Sequence, residues 1–319
     1  GSPALGTAVA SACAAEPVGG VDQRGVTRPQ GDPVCDSGAY ESSLLKPGAQ
    51  TYTVNSLLDP GDGICNSSEC TLREAITAAN ANAGSVDTII FTVTGTITLG
   101  ADLPALTDSV NITGPGMASL AIDGAGTHHL IVINPSVTAV ISALTIQDGD
   151  SDTSGGGIRN AGVLTLSDAA VNDNSATNGG GGLYNTGTAT ITNVTFSDNT
   201  ASYGGGIAHH GSNTTTITGS RFLGNTAGTT AGGGIFSAEP LTIAQTTFSN
   251  NTAPNGGGGG LHTIATTTLT RSTFNGNTAK YGAGINNSGT LTAGNITLSG
   301  KAAQDGGGGI HNGATANLY

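Results

Sequence analysis

The carboxylates and imidazoles of this 319-residue chain are sparse, and their spacing decides what chemistry they can do. From residue 151 onward the acids are Asp152, Asp168, Asp173, Asp198, Glu239 and Asp305. Acid–base work on a glycosidic bond needs two carboxylates flanking it, and only Asp173 and Asp198 share a register one repeat apart. Each precedes a corner asparagine, so both read as solvated corner residues. No catalytic residue is assigned, and the chain is expected not to be an enzyme. Among the histidines, His262 and His311 share a register two repeats apart, about 10 Å if each repeat is one β-rung, too far for one metal ion. His128 with His129, and His209 with His210, are chain neighbours that a strand points to opposite faces. All are expected on the surface.

Two loops have the oxygen ligands a hard cation wants. Asp59, Asp62 and Glu69 surround the Cys65/Cys70 pair, and Asp148, Asp150 and Asp152 alternate just before the cleanest repeats. Neither matches a defined calcium loop, and the competing reading is Asx-turn residues that shape a loop. No other cofactor is expected. Cys13 with Cys35, and Cys65 with Cys70, form local pairs without histidines at zinc-ligand spacing. Two disulfides are therefore expected, which implies an oxidising, secreted or cell-surface location.

Composition excludes several classes. Residues 1–150 carry 15 acids and 4 bases, residues 151–319 carry 6 and 5, and nine Lys plus Arg in all cannot make the basic stripe that nucleic acid requires. No window approaches the length of a membrane span, and no basic start followed by an apolar core marks a signal peptide. A processed or excised piece is expected. Glycine supplies 53 residues, tryptophan none, and aliphatics recur at fixed spacing, which argues for order over a disordered linker.

That spacing defines the elements. A Gly-rich run ends in an aliphatic at Ile158, Leu183, Ile207, Ile235, Leu261, Ile285 and Ile310, in steps of 25, 24, 28, 26, 24 and 25. A second apolar column, Ile146, Val171, Phe196, Phe222, Phe248, Phe274 and Leu298, keeps phase with it. Five residues before each member of that column comes Leu166, Ile191, Ile217, Ile243, Leu269 and Ala293, flanked by polar residues at the period of two expected of half-buried strands. Three short strands per repeat cannot each bury a face alone, whereas stacked repeats bury a shared one. The expected fold is all-β, a right-handed parallel β-helix with clean repeats from residue 142.

The remaining columns follow from that register. Asn174, Asn199, Asn225, Asn251 and Asn277 are expected to form an internal asparagine ladder, ending where Lys301 replaces the next amide. Thr165, Thr190, Thr216, Thr242, Thr268 and Thr292 form an exposed threonine column, which suits ice binding or a packing surface, although threonine is also ordinary on an exposed strand. The column after the glycine corners reads Arg159, Tyr184, Ala208, Phe236, His262, Asn286 and His311; aromatics there suit stacking on sugars or contact with a partner, although the column varies and single exposed aromatics are ordinary. Upstream, Thr71 as N-cap and Glu74 three residues later predict a short capping helix with Leu72, Ile76 and Ala79 on one face.

Two motifs carry a resemblance. Cys70-Thr-Leu-Arg-Glu-Ala-Ile76 resembles the opening motif of bacterial surface β-helix proteins named for a Cys-Ser-Leu-Arg-Glu-Ala signature. Residues 1–41, with Val21-Asp-Gln-Arg-Gly25 and Cys35-Asp-Ser-Gly-Ala-Tyr-Glu41, are similar to the closing segment that precedes the anchors of those proteins. The Gly-Gly-Gly-Ile and Phe-x-x-Asn repeats look like those of polymorphic outer-membrane adhesins. The order is inverted, closing motif first, as in a window from a tandem array or a permuted subunit. The domains expected are therefore 1–41, a closing segment of a preceding or neighbouring module; 42–64, linker and first strand; 65–85, disulfide turn and capping helix; and 86–319, the β-helix. The resemblance implies an extracellular structural or adhesive module assembling head-to-tail with copies of itself through its ends and residues 1–41, with surface glycans as further partners. The alternative function is a polysaccharide-degrading β-helix enzyme, or an ice-binding solenoid.

Overall fold

The computed structural model describes residues 48–319 apart from Ser212, together with the backbone of two short strands, Ala8–Val9 and Val34–Cys35, which pair antiparallel. The chain divides into two units, Gly1–Gln50 and Thr51–Tyr319. The expected Cys13/Cys35 bridge and the assembly role of residues 1–41 fall outside the described side chains.

Thr51–Tyr319 is a parallel β-helix whose strands stack into four sheets of 11, 9, 8 and 7 strands. One coil runs Ile158–Asn160, Val163–Ser167, Ala170–Asn172 and Ser175–Gly179 before the next begins at Leu183–Asn185. Four strands per coil, where three were expected, is a difference with a simple cause. The fourth strand buries only alanine, at Ala176, Ala201, Ala227, Ala253 and Ala279, and its register shifts at several bulges, so it lacks an aliphatic alternation to read.

The interior is built by identical residues meeting across coils. Ile158, Leu183, Ile207, Ile235, Leu261 and Ile285 are fully buried, as is Ile217 in the 11-stranded sheet. Phe196, Phe222, Phe248 and Phe274 stack with ring centroids 5.0, 4.9 and 4.5 Å apart and planes within 8° of parallel. Each such ring withdraws a large apolar area from water and gains stacking contact besides.

At the adjoining corner Asn174, Asn199, Asn225, Asn251 and Asn277 hydrogen-bond amide to amide, Nδ2 to Oδ1, at 2.9 Å in every step. The Asn199 amide illustrates how complete the network is. Its Nδ2 donates to the Val171 carbonyl and to Asn225, and its Oδ1 accepts from the backbone N–H and side chain of Asn174. All four hydrogen-bonding positions of the side chain are used.

The opening coil is closed by helix α1, Leu72–Ala81, whose capping box joins Thr71 and Glu74 reciprocally. Leu72, Ala75, Ile76 and Ala79 are buried where the helix packs on strands Thr51–Val54 and Asp87–Phe91. Among the described residues no helix is long and apolar enough to cross a membrane.

Candidate functional site

On the 8-stranded sheet the middle residue of each strand points outward, and pairing sets Arg159, Tyr184, Ala208, Phe236, His262, Asn286 and His311 in one register. Alternation within a strand dictates this, since the residues on either side face the core. At Ala208, where the column lacks a ring, two side chains from outside the register complete it. His210 lies 5.7 Å from Tyr184 and 5.2 Å from Phe236, the latter contact stacked. Tyr203 stands edge-on to both His210 and Phe236, at 5.4 and 5.2 Å. Phe236 then stacks on His262 at 5.4 Å with planes 11° apart.

The stack gives way to a hydrogen-bonded relay. The Asn286 amide bridges two imidazoles, 2.8 Å from His262 Nδ1 and 3.0 Å from His311 Nδ1. An amide has one donating and one accepting end, so one imidazole accepts at Nδ1 and the other donates from it, whichever way the amide is turned. Beyond His311 lies the Tyr281 ring at 5.6 Å, with Lys280 over its face and paired to Asp305 at 3.6 Å.

Glycine makes room for the row. A Cβ at Gly179 would collide with the Tyr203 ring, and one at Gly257 with the Asn286 amide. Burial pushes the His262 imidazole down to about 4 and lowers His210 as well, although Glu239 acts in the opposite direction on the latter. Both rings are neutral at pH 7. Burial, with Tyr184 beside it, raises the Tyr203 phenol, which therefore keeps its proton.

The corner carboxylates form a second array. Asp148, Asp173 and Asp198 occupy equivalent left-handed positions on consecutive coils, with φ of 50°, 57° and 56°, and each backbone N–H bonds the next coil. Burial and then the neighbouring charges, Asp123 and Asp173 for Asp148 and Asp198 for Asp173, raise both carboxyls. The fourth strand separates this corner from the ring row along the chain. Asp168 lies at a different corner, where it accepts from Asn193.

The structure redistributes the residues expected to hold calcium. Asp59 is engaged by Arg73 through two 2.7 Å bonds, and although burial raises its carboxyl, the hydrogen bonds and charge of Arg73 hold it below the usual value. Asp62 and Glu69 do converge, but with Glu74, their carboxylate oxygens lying within 4.8 Å of one another. Glu74 already accepts from the N–H groups of Gly63 and Thr71, so its main partners are backbone donors. Asp148, Asp150 and Asp152 do not form a comparable group among the described residues. The Cys65–Cys70 disulfide closes the loop that carries Glu69, and Asp62 lies three residues before it.

His209 corrects the expectation of surface histidines. It is fully buried, and its Nδ1 bonds Ser237 Oγ at 3.2 Å. It belongs to a second interior polar column, Asn160, Asn185, His209, Ser237, Thr263 and Asn287, which ends at the exposed Asn312 and includes amide bonds of 2.6 Å at Asn160–Asn185 and Asn287–Asn312. The signal was present as a polar residue two places after every aliphatic of the first column. The threonines from Thr165 to Thr292 pair in one register on the 11-stranded sheet, exposed or partly so.

Residues 129–311 match the family described as right handed beta helix region. No curated protein matches the chain. A solved structure similar to it is the crystal structure of Agl-KA catalytic domain, at 14% identity and a TM-score of 0.32, over 77% of this chain. This chain spans 64% of the length of that one. The expectation that the chain is not an enzyme is corrected here. Asp62, Glu69 and Glu74 gather three carboxylates, one of them buried, so that exclusion is withdrawn. With more than half its length matched, and with parallel coils throughout Thr51–Tyr319, the chain belongs to the right-handed β-helix region family.

Proposed function

We propose that this β-helix is a carbohydrate-active protein that holds polysaccharide on its outer ring row. The observation that carries the reading is the partly exposed, uncharged series Tyr184, His210, Phe236 and His262, in which every ring contacts the next, with Tyr203 edge-on to the middle two. Sugar rings present C–H faces that pack on aromatic surfaces, while their hydroxyls need a few fixed polar groups nearby. Tyr203, Asn286 and His311 supply those. Asp148, Asp173 and Asp198 are the carboxylates we assign to acid–base work, because they stand in one register on consecutive coils, where burial and then like charges raise the carboxyls of Asp148 and Asp173. The Cys65–Cys70 bridge supports a secreted, oxidising location.

The test is an assay for reducing sugar and for unsaturated product across a polysaccharide panel. Turnover that Asp173→Asn abolishes supports the assignment; turnover that is unchanged places the chemistry elsewhere. A second reading, an adhesive or structural module, is favoured by the length of the row, which continues without a break from Tyr184 to His311 and suits retention of a long polymer. Binding without product selects it. Head-to-tail assembly through the coil ends and residues 1–41 belongs to that reading and is tested by light scattering at high concentration.

A further inference from the structure

We infer that the polysaccharide held by the ring row is uncharged and lies along the helix axis, one sugar per coil. This rests on the glycan reading above and narrows it to a substrate class.

The charge distribution argues for the class. Between Tyr184 and Asn286 the outward register reads Tyr184, Ala208, Phe236, His262 and Asn286, without a cation. Recognition of a uronate or sulfated polymer requires a cationic or strongly donating group at close intervals, most effectively arginine. Here the charge felt by His210 is Glu239, an anion that repels such polymers. Lys280, at the far end, is neutralised by Asp305. The bridging amide also requires that the histidine accepting its N–H be neutral.

The direction of the chain follows from the row itself. Ring centroids succeed one another at 5.7, 5.2 and 5.4 Å from Tyr184 through His210 and Phe236 to His262. Successive coils rise by about 4.8 Å, close to the advance of one sugar in an extended polymer. A chain parallel to the axis therefore meets a ring edge on each of the four coils from Tyr184 to His262, whereas a chain across the sheet meets one ring and then the glycine corner.

Affinity electrophoresis and calorimetry with the full chain, using neutral β-glucan, xylan, mannan and galactan against polygalacturonate and alginate, test this. The expected result is retardation by at least one neutral polymer, unchanged by added salt, and weakened tenfold or more by Phe236→Ala and by Tyr203→Ala. Phe236→Tyr should retain binding, and Thr216→Ala, on another sheet, should leave it unaltered; circular dichroism of each variant guards against misfolding. Preference for a polyuronate, lost in Phe236→Ala and weakened by salt, would overturn the uncharged class while leaving the ring row as the glycan site. Failure to bind any glycan, or binding indifferent to both ring substitutions, sinks both readings.

Discussion

Inside the coil, the asparagines from Asn174 to Asn277 repeat one residue and each amide hands its bonds to an identical neighbour; outside, from Tyr184 to His311, the residue changes at nearly every coil although the contacts stay unbroken. Both columns obey the same spacing. The inner one must satisfy buried donors and acceptors in a space that water cannot reach, and only one side chain satisfies that geometry coil after coil. The outer one borders solvent, where an unsatisfied group can bond water, so its members are free to differ and to suit a ligand. Identity at a fixed period is therefore the mark of the scaffold, and variation at a fixed period the mark of the contact surface.

The sharpest way to break this comparison is to damage the interior at its best-packed point. Phe222→Ala removes a ring stacked on both sides and should cost about 3–5 kcal/mol, read as a fall in the urea midpoint; a loss under about 1 kcal/mol would mean the coils are not held by that stack. Asn225→Ala deprives the Phe196 carbonyl, the Asn251 amide and both N–H groups of Asn199 of partners. Roughly 2–4 kcal/mol should be lost, with Asn225→Gly no better.

Acid sharpens the comparison next, through His209. Its folded value of about 4 lies below the 6.5 of a free imidazole, the result of burial. The unfolded chain thus binds the extra proton between those values, so stability is full above pH 6.5 and falls as the pH drops toward 4, by at most about 3 kcal/mol. Burial of His262 adds in the same direction. Denaturant titrations at pH 4.5 and 7.5 should show a smaller difference in His209→Asn, whose amide suits the column of Asn160 and Asn185; an unchanged difference would remove His209 from the account. The smallest expected effect is Phe236→Ala, about 1 kcal/mol in stability alongside a large loss of glycan binding. Were the two losses comparable, the outer row would be scaffold as well.

The sequence alone determined the coil, because hydrogen bonding between successive strands ties each residue to its counterpart about 25 positions on, and that bookkeeping is linear in the chain. It also determined the Thr71–Glu74 cap, which is local, and the register of the asparagine and threonine columns. Only the tertiary structure decided contacts between different columns. Tyr203 and His210 enter the ring row from outside its register, Glu74 joins Asp62 and Glu69 across a loop, and Asp59 is claimed by Arg73. Such lateral contacts depend on how far each corner turns and how flat the glycines leave the surface. Those are properties of packing in three dimensions, to which spacing along one chain is blind.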